Sequence, residues 1–131
     1  MKLLKSLVFL FVLLAAGNVQ SQAVFDKWPS VRAFHDVLSA TFHSAEKGNF
    51  NPIKARYEEL ALKAENVLKL EIPLEYQTKE ILASAERLQI KTKALQKKIV
   101  TKADDAAIMK QLNDIHDTFH EIVGLCSVEK H

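Results

Sequence analysis

Residues 104–126, DDAAIMKQLNDIHDTFHEIVGLC, decide the fold. Ile108, Leu112, Ile115, Phe119 and Ile122 recur in alternating steps of four and three, and Met109, His116 and Val123 run beside them seven apart. That period lines one face of a long amphipathic helix, the fourth in the chain. Gly124 is its expected stop, although Cys126 continues the stripe. Reading back toward the N-terminus, Thr101-Lys102-Ala103-Asp104 has capping-box spacing with Asp in place of Glu and predicts a tight turn. Before it, Ile81, Ala85, Leu88, Thr92, Leu95 and Ile99 mark a third helix of five turns, with Leu74 and Tyr76 in the connection that precedes it.

A second helix begins at Asn51-Pro52, an N-cap followed by a proline where the missing N–H does no harm. Its stripe is Ile53, Tyr57, Leu60, Ala64, Val67 and Leu68, and Pro73 ends it by turning Ile72 away from helical angles. The first helix runs from Asp26 or Trp28 to about Lys47 on Trp28, Val31, Phe34, Leu38 and Phe42, and stops at Gly48-Asn49. Three Gly and three Pro in 131 residues are too few turn-makers for a many-stranded sandwich or barrel. Short loops force successive helices to run opposite ways, so the expected fold is all-α, an antiparallel up-down-up-down four-helix bundle.

Met1–Ala23 has the layout of a secretory signal peptide: Lys2 and Lys5, the apolar run Leu7–Ala16, then small and polar residues. Ser21-Gln22-Ala23 offers a cleavage site, with Ala15-Ala16-Gly17 as a second, and residues 24–131 form the bundle domain. The run is about half the ~20 residues that span a bilayer, which argues against a stable membrane anchor. Asn18 stands where a lipoprotein signal needs Cys, which disfavours lipidation. The expected destination is across the inner membrane, in the periplasm. The leader takes two of the 18 basic residues, leaving 16 against 16 acidic ones, so a nucleic-acid partner lacks its electrostatic drive. A single cysteine, Cys126, precludes an internal disulfide and reads first as a small buried apolar side chain.

Histidine carries the functional signal. His35 and His43 fall on the first helix, His116 and His120 on the fourth, His131 at the terminus, and residues 44–115 contain none. His116 and His120 are four apart, about 6 Å along a helix axis and on one face, a bite suited to one ion. In an antiparallel bundle they lie level with residues 31–36, which includes His35. His35, His116 and His120 form the expected site for Zn, Cu or Ni, with Asp36, Asp117 or Glu121 orienting the rings or joining them. His43, about 12 Å beyond His35, is an extra ligand or, with Glu46, part of the solvated helix end, near Asp104 and Asp105. The expected role is non-catalytic: storing, buffering or sensing the ion, with binding that weakens as the rings protonate.

Helix count and export give the chain an architectural resemblance to cytochrome b562-like bundles. That resemblance implies non-covalent haem b as the alternative cofactor, with axial ligands early in the first helix and late in the fourth, where His35 and His116 or His120 stand. Covalent attachment is excluded because Cys-x-x-Cys-His is absent. Asp117-x-x-His120 only approximates the Glu-x-x-His of di-iron bundles, and the zinc-peptidase pattern His-Glu-x-x-His is missing. A non-catalytic adaptor or a homodimer is the other class, with Phe25, Phe50, Leu74 and Tyr76 as candidate contacts.

Overall fold

The computed structural model describes residues 21–128, and within them the chain is all-α, with no strand. Residues 21–27 are helical and lead through Trp28 into α1, Pro29–Glu46. There follow α2, Asn51–Lys69, a single 3₁₀ turn, Leu74–Tyr76, α3, Lys79–Val100, and α4, Asp105–Val128. No helix among the described residues is long and apolar enough to cross a membrane. Most of the proposed leader, residues 1–20, lies outside the described residues, as does His131.

Trp28 breaks the helical run because Pro29 follows it: a residue before proline is pushed off helical angles, and Trp28 sits at φ −124° and ψ 82°. Its carbonyl still accepts from the N–H groups of Val31 and Arg32, so α1 starts at once. The helical run of 21–27 is therefore interrupted at Trp28, and α1 proper begins at Pro29, one residue past the expected start at Trp28. At its far end Gly48 adopts φ +88°, and the Gly48 and Asn49 N–H groups donate back to the carbonyls of Ala45 and Ser44. This is the Schellman closure, which satisfies two terminal carbonyls. Asn49 Oδ1 then accepts from the Asn51 N–H at 3.1 Å, and Phe50, with no side-chain capping bond, holds the cap position of α2, so Asn51 is the first helical residue and not the cap.

The turn between α3 and α4 repeats the device without glycine. Lys102 takes φ +61°, with Lys102 and Ala103 donating to Ile99 and Lys98. Thr101 closes α3, and Asp104 caps α4 by accepting from the Ala107 N–H at 2.8 Å. Thr78 does the same for α3, accepting from the Ile81 N–H. Gly124 does not end α4: the helix passes through it and buries Cys126 completely. A mid-helix glycine costs about 1 kcal/mol, less than the core contact that Ile122 and Cys126 gain on either side.

The four stripes meet in one core. Phe34, Leu38, Leu60, Leu88, Leu112 and Ile115 are each at most 1% exposed; full burial of such side chains stabilises by about 1.5–3 kcal/mol apiece. Trp28 and Tyr76, both fully buried and stacked with centroids 5.6 Å apart, close one end, while Leu74 beside them is 84% exposed. Tyr76 is thus core and unavailable as a docking contact, and Phe25 and Phe50 pack partly buried against the same core.

Each helix packs on the next, and α1 also touches α4, more sparsely. Partners across α3 and α4 run in opposite senses: Arg87 with Glu121, Lys91 with Asp114 and Thr118, Lys98 with Gln111. Across α1 and α4 the order also reverses, Phe34 meeting Phe119 and Phe42 meeting His116. The sparse contact between α1 and α4 leaves room for a cavity.

Candidate functional site

A cavity of about 360 Å³ opens between α1 and α4. Four of the five histidines line it: His35 and His43 from α1, His116 and His120 from α4. The helical period explains the convergence. Phe42 and Phe119 occupy core positions, and the residue after each leans about a quarter turn round the helix, toward the edge of the stripe. His43 and His120 are those residues, and His35 likewise follows Phe34. His116 sits one turn before His120 on the same edge.

His116 and His120 come together directly, with Nε2 to Nε2 at 3.2 Å and rings edge-on, 76° between planes. One nitrogen donates to the other in the neutral pair. The same spacing suits two ligands on a tetrahedral ion, since zinc–nitrogen bonds of about 2.05 Å place the nitrogens about 3.3 Å apart. His116 is held in place by Phe42, whose ring lies parallel to it at 4.2 Å with a 5° tilt.

His35 lies in the same cavity in a ring cluster, 4.7 Å from the Phe25 centroid and 5.5 Å from that of Phe119. Its Nδ1 is 3.9 Å from the Asp36 carboxylate. His43, exposed at the mouth, bonds Glu46 through Nδ1 at 3.1 Å. The expected His35–His116–His120 triad is therefore gathered around one space without being drawn onto one point: among the described residues no three His, Cys, Asp or Glu side chains are grouped to hold an ion. Two supporting roles are reassigned. Glu121 is paired with Arg87 at 2.9 Å, and Asp105 with Lys54 at 3.0 Å, so neither serves the histidines.

Comparison of the chain with known protein families, curated proteins and solved structures yields no match. The chemistry must be read from the cavity alone.

Burial holds the His116 imidazole below its ordinary value of 6.5, and the neighbouring His120 pushes the same way against the opposing pull of Asp117 and Glu46. His35 is lowered chiefly by burial too, with Asp36 opposing and His120 adding to the shift. Both rings are thereby biased to the neutral form, which keeps lone pairs available to an electrophile. Among the described residues no carboxylate or thiol lines the cavity; its walls are Phe25, Phe42, Phe119, Leu38 and Val123, with Ser39 adding polar atoms, as do Ser21 and Gln22, which fall inside the expected leader.

The aromatic walls were not anticipated from sequence, where Phe42 and Phe119 read as plain core. The signal was present: the doublet Phe-His occurs three times, at 34–35, 42–43 and 119–120, twice after threonine. A core aromatic followed by an edge imidazole on two helices that meet is a pattern for a ring-lined cavity.

Proposed function

We propose that this protein is exported behind a cleaved signal peptide, residues 1–23, and folds in the periplasm as an antiparallel up-down-up-down four-helix bundle. In this reading the cavity between its first and last helices holds a transition metal ion, zinc, copper or nickel. His116 and His120 ligate the ion. His35 and His43 line the same space as reserve ligands that only a side-chain rotation would bring to the ion, His43 the more easily because it is exposed. The role is non-catalytic: storage, buffering or sensing.

The observation that carries this reading is the 3.2 Å between the two Nε2 atoms, close to the bite of a tetrahedral ion. The depressed basicity of His116 supports it, since a neutral ring needs no proton displaced before it binds. Equilibrium dialysis of the full chain against zinc, copper and nickel tests it. One ion per chain should be retained, and His116→Ala with His120→Ala should abolish uptake. Unchanged affinity in that double variant would falsify the site.

The aromatic walls favour a second reading, non-covalent haem b between α1 and α4 with His35 opposite His116 or His120. A Soret band in protein purified from its own compartment would establish haem, and stoichiometric metal without one would eliminate it.

A further inference from the structure

In the observed arrangement only His116 and His120 stand at the bite of one ion, while His35 stacks on Phe25 and Phe119 and His43 bonds Glu46, which leaves a tetrahedral ion two open positions. Among the described residues no Asp, Glu or Cys lines the cavity to fill them, the nearby Asp36 and Glu46 lying beside His35 and His43 instead. A divalent ion on two neutral rings has no directly bound anion beside these apolar walls, with Asp117 and Glu46 acting only from outside the lining, and charge so placed is costly. The space is also larger than an ion alone needs: about 360 Å³ with Ser21 and Gln22 in place, and more open once a leader ending at Ala23 is removed, against about 30 Å³ for each water that would complete the shell. Its walls are flat rings, Phe42 parallel to His116 and Phe25 beside His35 and Phe119.

Building on the His116 and His120 site proposed above, we infer that the cargo is a metal chelate: the ion together with a small, planar aromatic chelator of the hydroxyquinoline class, anionic once bound. Its two donor atoms take the open positions, its hydroxyl proton passing to solvent on coordination. Its negative charge offsets that of the ion, and its ring lies against the phenylalanines. Offset stacking on such walls adds binding beyond apolar burial.

The test pairs two chelators with the same donor atoms, one nitrogen and one anionic oxygen, that differ in having a ring. Binding of the zinc complexes of 8-hydroxyquinoline and of glycine to the full chain is measured side by side, together with zinc alone and 8-hydroxyquinoline alone. The zinc hydroxyquinoline complex should bind at least about tenfold more tightly than the zinc glycine complex, a gap within reach of one or two good ring contacts. Phe25→Leu, away from the His116 and His120 pair, should narrow that gap while zinc alone still binds. A gap below tenfold overturns the chelate inference and leaves the bare-ion site standing. Equal binding of 8-hydroxyquinoline without zinc overturns it too, since the ion would then be superfluous. Failure of zinc to bind in any form overturns both readings.

Discussion

Zinc should stabilise the folded chain through His116 and His120, by an amount that follows from helix geometry. The two nitrogens stand 3.2 Å apart, and tetrahedral zinc asks for about 3.3 Å, so little rearrangement is needed. The pair exists only while α4 is helical, because residues four apart share a face only there. The unfolded chain offers no such pair, and the ion therefore favours the folded state. At a hundred times the dissociation constant that linkage is worth about 2.7 kcal/mol. For a domain near 100 residues this raises Tm by about 10 °C or somewhat more. Thermal unfolding followed by circular dichroism near neutral pH, with and without zinc and again after a chelating wash, reads the shift. His116→Ala and His120→Ala should each remove most of it, since one remaining imidazole gains nothing from chelation. His43→Ala should leave at least half. A shift of the same size in the His116→Ala and His120→Ala double variant would show that the ion binds elsewhere and refute the reasoning.

Three further outcomes are expected. Without metal, stability should fall as pH drops below 6.5: His35 and His116 are held under that value in the fold, so the unfolded chain takes up protons first. Urea unfolding across this range checks it, and a level profile down to about pH 5 would contradict it. Tyr76→Phe should leave stability unchanged or raise it by about 1 kcal/mol, because the buried hydroxyl, its pKa pushed up to about 12 by burial, has no hydrogen-bond partner among the described residues; a fall in the denaturation midpoint worth more than that would count against it. Gly48→Ala should cost and Lys102→Gly should gain about 1 kcal/mol each, since both positions are left-handed and a Cβ at Gly48 meets no atom within 4 Å. Denaturant midpoints that move in the same direction for the two variants would dismiss that account.

The helices were legible because each stripe obeys one rule, burial of a single face, and the buried apolar residues of α1 to α4 fall on those stripes except Val37 and Ala45, which widen the face of α1. Boundaries were less so. Thr101 and Asp104 both have capping chemistry, and only the left-handed Lys102 between them decides that the first closes α3 and the second opens α4. Gly124 looked like a stop because glycine is a poor helix former, yet burial of Cys126 beyond it outweighs that local preference. For the site, the meeting of the α1 and α4 histidines followed from short loops and reversed helix direction. What spacing along the axis could not show was the size of the space. His43 appeared too distant to join His35 because a single ion was the measure, whereas a cavity large enough for a small molecule admits both.

The α3 and α4 pair is stitched by polar links, Lys91 to Asp114 and Thr118 among them, while α1 meets α4 through faces of rings. Stacked rings slide and part with no directional bond to break, so the expected place for the fold to open is along that line. Amide protons of α1 flanking the cavity should exchange with deuterated solvent sooner than those of α3. A guest too wide for the resting mouth would enter by the same transient parting, and its departure would be timed by α1.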